Sequence, residues 1–125
     1  MSCWNFAEAV YQLGESSIAD HPALIHHRER ISYRELRRRA LGIASFLQQQ
    51  GLAPGAQVGH YLRNSNAYME AVIGSGLAGL SHVNVNYRYE DEELLDLCNG
   101  LDVEVLVFDG AFAERVERIK PALQH

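Results

Sequence analysis

Residues 57–88 read QVGHYLRNSNAYMEAVIGSGLAGLSHVNVNYR, and the order of elements within them indicates the fold class. The run QVGHYL at its start is typical of a buried strand. Residues 64–66, Asn-Ser-Asn, form a helix-start signal. Small and apolar residues then recur at helical spacing, namely Ala67, Tyr68, Ala71, Val72, Ser75 and Ala78. Residues 81–87 alternate valine or tyrosine with polar neighbours and predict a second strand. The stretch therefore predicts a strand–helix–strand unit.

The glycines of residues 74–79, GSGLAG, match the G-x-G-x-x-G string that is associated with dinucleotide binding. That motif holds a pyrophosphate only where the glycines follow a strand and open a helix. Here they follow a helix and precede a strand, so their order argues against a NAD or FAD site. Gly79 instead predicts the end of the helix, in a left-handed conformation. Gly74 and Gly76 fall inside the helix, where each costs roughly 1 kcal/mol relative to alanine, which indicates close packing against another element.

The segments before this unit predict two helices and a hairpin. Asn5 and Glu8 form a capping box for a first helix, which Gly14 weakens or ends. Pro22 predicts a turn, and residues 23–27 and 30–32 read as two short strands of a hairpin. A second capping box follows at Ser32 and Glu35, and Gly51 ends the helix that it opens. The predicted apolar face of this second helix consists of Tyr33, Leu36, Ala40, Ile43, Ala44 and Leu47.

The segments after the unit continue the alternation of helix and strand. Residues 90–93 place four carboxylates in the first turn of a helix, where the helix dipole favours negative charge. Residues 103–110, VEVLVFDG, form a β-branched run that predicts a strand covered on both faces. A last helix carries Phe112, Val116 and Ile119 on one side. This alternation predicts an α/β fold with a mostly parallel sheet flanked by helices, in a single domain over residues 1–125.

Composition narrows the classes of function. The 125 residues are 47% hydrophobic, enough for one core, and the net charge of −5 argues against a nucleic-acid partner. The arginines of YRELRRRA, residues 33–40, read as a solvated helix face. Cys3 and Cys98 lie far apart and form no C-x-x-C pair, which favours free thiols in the cytoplasm. We expect neither a targeting segment nor a transmembrane segment.

The sequence contains few residues that could together form a self-contained active site. His60 and His82 fall on separate predicted strands and could lie close together, but no ligand accompanies them at metal-binding spacing, so we expect no metal site. His26 and His27 are neighbours on a turn, and we expect their side chains to diverge. The sequence has no G-x-S-x-G elbow for a nucleophilic serine. It also has no threonine and no phosphate loop, and its single lysine is Lys120.

Three segments, residues 5–16, 22–98 and 103–116, together resemble the amino-terminal part of the acyl-activating enzymes, the acyl-CoA synthetases, adenylation domains and luciferases. The resemblance is strongest to the fatty-acyl-CoA synthetase branch, through VNVNYRY followed by EEL, and it spans almost the whole chain. The sequence departs from the family pattern at the cap before EEL, where Glu90 replaces the usual threonine or serine. The implied fold is a partial amino-terminal subdomain of the synthetase.

The resemblance implies what the full enzyme does. It would join a carboxylic (fatty) acid to AMP using ATP and Mg²⁺, and then pass the acyl group to coenzyme A. This chain would correspond to the first quarter of that ligase, a truncated scaffold part that is not catalytic alone and that binds none of these cofactors tightly by itself. The alternative is a free-standing, non-catalytic binding or interaction module derived from such an enzyme.

One residue of the chain has an implied role in binding. Arg88 occupies the place of an arginine that, in some coenzyme A ligases of the family, lies near the nucleotide phosphates. A guanidinium suits that role because its planar fork donates two hydrogen bonds to phosphate oxygens. Alternatively, Arg88 orders its own loop or pairs with residues 90–93. Without the rest of the ligase, we also expect the chain to expose apolar surface or a sheet edge and to self-associate.

Overall fold

The computed structural model describes residues 6–125, so the predicted cap at Asn5 and the thiol of Cys3 lie outside the described residues. The described residues form five helices: α1 (Phe6–Leu13), α2 (Tyr33–Gln48), α3 (Asn66–Leu77), α4 (Asp91–Gly100) and α5 (Ala113–Ile119). The same part of the chain forms five strands: β1 (Pro22–His26), β2 (Glu29–Ser32), β3 (Gln57–Tyr61), β4 (Ser81–Asn84) and β5 (Val103–Phe108). Short 3-10 turns flank α5 on both sides.

The three-stranded sheet has β3 in its centre, in the order β4–β3–β5, and both pairings are parallel. Helix α3 connects β3 to β4, and α4 connects β4 to β5. Strands β1 and β2 form a separate antiparallel hairpin. Pro22 begins β1 rather than marking a turn, which is compatible with proline because the first residue of a strand can lack a donated hydrogen bond. The predicted α/β fold with a mostly parallel sheet is confirmed.

Helix α2 begins as predicted at Ser32, but only half of the capping box forms. The Ser32 hydroxyl accepts a hydrogen bond from the Glu35 backbone N–H at 3.1 Å. The Glu35 carboxylate turns away from the cap and accepts hydrogen bonds from Arg38 and Arg39. Both arginines lie within one turn of Glu35, so local ion pairs compete successfully with the reciprocal cap bond.

Helix α3 is buried on more sides than the sequence pattern indicates. Ala67, assigned to the apolar face, is exposed. The buried residues are Asn66, Ala71, Ile73, Gly74 and Ser75. The helix lies between α1, α2 and the sheet, so it presents no single apolar stripe. As predicted, Gly79 follows its end with a φ of +79°, and Gly74 and Gly76 sit where a Cβ would lie 2.8 Å from Ile43 and 2.7 Å from Ala7.

The hydrophobic core consists of two clusters. One lies between α1, β2, α2 and α3 and contains Ala7, Val10, Ile31, Leu36, Ala40 and Ile73. The other lies between the parallel sheet, α4 and α5 and contains Tyr61, Val85, Leu94, Cys98, Val103, Val116 and Ile119. Cys98 is a free thiol in this core, as expected.

Strand β5 is not covered on both faces. Glu104 is exposed, and Phe108 is 38% exposed at the end of the strand. The β-branched composition of β5 is explained by its pairing with β3 in the sheet. The other edge of β5 has no partner strand among residues 6–125. Over the same residues, no helix is long and apolar enough to cross a membrane.

Candidate functional site

The loop that follows β4 carries Arg88, the candidate phosphate contact. The Asn86 side chain accepts a hydrogen bond from the Arg88 backbone N–H at 2.9 Å, and the Asn86 carbonyl accepts one from the Tyr89 N–H at 3.0 Å. Asparagine favours such turns because its side-chain oxygen can replace a backbone acceptor. The turn is therefore ordered by Asn86, and the Arg88 side chain is exposed at its tip.

The Arg88 guanidinium lies beside an aromatic ring. Its Cζ lies 5.6 Å from the centre of the Tyr87 ring. No ion pair among residues 6–125 involves Arg88, although the carboxylates of residues 90–93 follow closely in sequence. The alternative pairing of Arg88 with this acidic run is thus not present in the structure.

The acidic run pairs with α5 instead. Asp91 accepts two hydrogen bonds from Arg118, at 2.8 and 3.0 Å, and its Oδ1 lies 3.4 Å from Arg115 Nε. The hydrogen bond from Arg118 lowers the pKa of the Asp91 carboxyl. One carboxylate of the acidic run is therefore paired with α5, while the run as a whole interacts favourably with the helix dipole.

The loop is held from behind by two side chains that sequence analysis does not single out. The Tyr89 carbonyl accepts hydrogen bonds from the Tyr61 hydroxyl at 2.5 Å and from Arg115 Nη1 at 2.9 Å. Tyr61 and Arg115 are 54 positions apart in sequence. No local pattern links residues at such a distance, because their proximity depends on how β3, β4 and α5 pack.

A second polar cluster lies between the sheet and α3. His60 is fully buried; its Nε2 lies 3.1 Å from Ser75 Oγ, and its Nδ1 lies 2.7 Å from Nδ1 of His82. Ser75 donates to the Ala71 carbonyl, so its oxygen accepts from His60 Nε2–H, and His60 Nδ1 then accepts from His82. Burial lowers the pKa of His60 to about 4, with a smaller contribution from His82. His60 is therefore the neutral ring in this hydrogen-bonded chain, donating from Nε2 and accepting at Nδ1.

The histidines do not assemble a metal site in the described part of the chain. His60 and His82 come together as their strand positions allow, but no group of three or more metal-ligating side chains exists within residues 6–125. Contrary to expectation, the rings of His26 and His27 do not diverge, since their centroids are 4.2 Å apart in an edge-on contact.

The family model described as AMP-binding enzyme matches residues 15–125. The medium/long-chain-fatty-acid–CoA/3-oxocholest-4-en-26-oate–CoA ligase of Mycobacterium marinum is 35% identical over 105 residues, which are 84% of this chain and 19% of the ligase. The medium-chain acyl-CoA ligase Mig of Mycobacterium avium is 32% identical over 92% of this chain and 23% of its own length. The chain thus spans about a fifth of the curated relatives that it matches.

Solved structures share the fold. A benzoate CoA ligase from Burkholderia xenovorans superposes with a TM-score of 0.87 at 23% identity, over 96% of this chain and 24% of the ligase. The N-terminal domain of FACL13 from Mycobacterium tuberculosis superposes with a TM-score of 0.86 at 19% identity, over 94% of this chain and 30% of that domain. These likenesses confirm the predicted architecture of an amino-terminal ligase subdomain.

Proposed function

Because the chain belongs to the AMP-binding enzyme family, we propose that it forms the amino-terminal part of an ATP-dependent acyl-CoA synthetase. In that reaction a carboxylic acid and ATP give acyl-AMP and pyrophosphate, and the thiol of coenzyme A then displaces AMP to give acyl-CoA. The observation that carries the proposal is the 35% identity to a fatty-acid–CoA ligase over 84% of this chain. The names of the relatives support a medium- or long-chain fatty acid as the substrate.

Within that ligase, the residues of this chain have a scaffold role. Lys120, the single lysine, lies in the 3-10 turn after α5. The sequence holds no glycine-rich loop with a lysine for the ATP phosphates. We assign the binding of ATP and Mg²⁺ and the chemistry itself to parts of the ligase other than residues 1–125. We predict that the protein lies in the cytoplasm.

Arg88 is the residue of this chain that we assign to a ligand, the nucleotide phosphates of coenzyme A. Three observations support this: the guanidinium is exposed, it forms no ion pair with a described residue, and its backbone is held in an ordered turn. An arginine can donate two parallel hydrogen bonds to a phosphate without deprotonating. In this role Arg88 binds and orients coenzyme A, and it takes no part in forming acyl-AMP.

The test of this assignment uses the ligase that contains this chain. We expect Arg88→Ala to raise the KM for coenzyme A roughly tenfold, because a charged hydrogen bond contributes about 1.5–3 kcal/mol. The acid-dependent exchange of pyrophosphate into ATP, which requires no coenzyme A, should stay within a factor of about two. Arg30→Ala, at an exposed arginine in β2, is the control and should leave both values unchanged. An unchanged KM in Arg88→Ala would refute the assignment.

The mass of the native polypeptide separates the proposal from the alternative of a free-standing interaction module. An antibody raised against this chain should detect a band several times heavier than 14.0 kDa in the source cells. A band at 14.0 kDa would show that the cell makes this piece alone and would favour the non-catalytic module.

A further inference from the structure

The carbonyl of Tyr89 is held by a closed triangle of hydrogen bonds. It accepts from the Tyr61 hydroxyl at 2.5 Å and from Arg115 Nη1 at 2.9 Å, and Arg115 Nη1 also donates to the Tyr61 hydroxyl at 2.8 Å. A carbonyl oxygen has two lone pairs, so these two donors satisfy it fully. The position of this peptide group is therefore determined by two independent side chains.

Both donors are themselves fixed. Tyr61 is the last residue of the central strand, is fully buried, and its ring packs on Phe112 with the centroids 4.5 Å apart. Arg115 extends from α5, and its Nε lies 3.4 Å from Asp91 at the start of α4. Arg115 Nη1 donates to both the Tyr61 hydroxyl and the Tyr89 carbonyl, so one planar guanidinium joins the end of β3 to the loop.

Tyr89, whose carbonyl they hold, directly follows Arg88 in the chain. The other side of the same turn is closed by the Asn86 side chain, which binds the Arg88 N–H. The backbone of Arg88 is thus fixed on both sides, by Asn86 before it and by the Tyr61–Arg115 pair after it. Arg88 itself is exposed.

We propose that Tyr61 and Arg115 are positioning residues, which hold the Tyr89 peptide and so fix the direction in which Arg88 presents its guanidinium to the phosphates of coenzyme A. This inference rests on the proposed role of Arg88. Preorganisation of this kind improves binding because the loop loses little conformational freedom when the ligand arrives. Tyr61 and Arg115 act through Arg88 and need not touch the coenzyme.

The first test measures the order of the loop by hydrogen exchange in the ligase that contains this chain. The backbone amides of Arg88 and Tyr89 should exchange slowly in the wild type, as expected for a rigid turn. Arg115→Ala should speed exchange of these amides roughly tenfold or more, with a smaller increase in Tyr61→Phe, which keeps the Arg115 bond. Arg118→Ala is the matched control, because Arg118 binds the same Asp91 but does not contact Tyr89.

The second test measures the two half-reactions of the ligase. Arg115→Ala should raise the KM for coenzyme A roughly fivefold and leave pyrophosphate exchange within about twofold. Arg115→Lys keeps the charge without the fork and should rescue only part of the affinity. If Arg115 acts through Arg88, the double variant Arg88→Ala/Arg115→Ala should be no worse than Arg88→Ala alone.

The outcomes distinguish this inference from the proposed function. A loop that stays as rigid in Arg115→Ala as in the wild type overturns the positioning role while Arg88 keeps its own. Effects of Arg88→Ala and Arg115→Ala that multiply, or a parallel loss of pyrophosphate exchange, also overturn it, because they indicate an independent or a general structural role. An unchanged KM in Arg88→Ala removes the role of Arg88 and this inference with it.

Discussion

Gly74 shows how a single residue can be required by a neighbour that is distant in sequence. A Cβ at this position would lie 2.8 Å from Cβ of Ile43 and 2.9 Å from the carbonyl oxygen of Ala40. The glycine lets α3 approach α2 closely enough for Ile73 to reach the core. This packing offsets the cost of placing a glycine, rather than an alanine, inside a helix.

We therefore predict opposite effects for the same substitution at two helix-interior glycines. Gly74→Ala should lower the free energy of unfolding by about 1–3 kcal/mol, because the added methyl overpacks the contact with α2. Gly42→Ala, in α2 with nothing within 4 Å of the added Cβ, should raise it by up to about 1 kcal/mol. Urea denaturation of the two variants checks this pair, and a stabilised Gly74→Ala would contradict the packing argument.

At the scale of elements, polar contacts join β3, β4 and α3. His60 on β3 binds His82 on β4 and Ser75 on α3, and the Tyr68 hydroxyl of α3 donates to Asn84 of β4 at 2.8 Å. These bonds satisfy polar groups at a boundary where apolar packing would otherwise leave them without partners. The arrangement requires a neutral His60, because its Nδ1 must accept a hydrogen bond.

This requirement predicts a loss of stability in mild acid. An unfolded histidine binds a proton below its ordinary pKa of 6.5, whereas the buried His60 stays neutral until its pKa of about 4. The stabilisation is therefore complete above pH 6.5 and is lost as the pH falls from 6.5 towards 4, by about 3 kcal/mol in total. Burial lowers the pKa of His82 as well and adds in the same direction.

Denaturation at several pH values in this window measures the effect. His60→Leu should flatten the dependence of the unfolding free energy on pH, because it removes the histidine whose pKa burial lowers to about 4. His21→Gln, at an exposed histidine, should keep the wild-type slope. Equal slopes in His60→Leu and the wild type would show that this histidine is not the origin of the acid sensitivity.

At the scale of the whole molecule, the exposed surface indicates how the chain interacts with other chains. Several large apolar side chains are exposed, among them Ile25 at 64%, Phe46 at 60% and Phe108 at 38%. Strands β4 and β5 each have one edge without a partner among residues 6–125. Unpaired edges and apolar residues together favour association between chains. We also predict that the 125 residues form a single domain.

We predict that the isolated chain self-associates and that the β5 edge contributes. Sedimentation velocity should show species heavier than 14.0 kDa that grow with concentration. Phe108→Lys should shift the distribution towards the monomer, because a charge at the edge opposes pairing. Glu104→Lys changes the charge on the same strand without removing an apolar side chain, and should have the smaller effect. A wild-type chain that stays at 14.0 kDa at every concentration would contradict the prediction.

Local sequence predicted the order and type of the elements, the start of α2 at Ser32, the start of α3 within residues 64–66, and the turn at Gly79. It also determined the family, since the motifs around Arg88 are local strings. These features depend on backbone preferences and hydrogen bonds within a few residues. The tertiary structure alone decided the partners of residues far apart in the chain, such as Tyr61 with Arg115, Gly74 with Ile43, and the extra buried sides of α3. Such contacts depend on how whole elements pack against one another, and no short stretch of sequence encodes that packing.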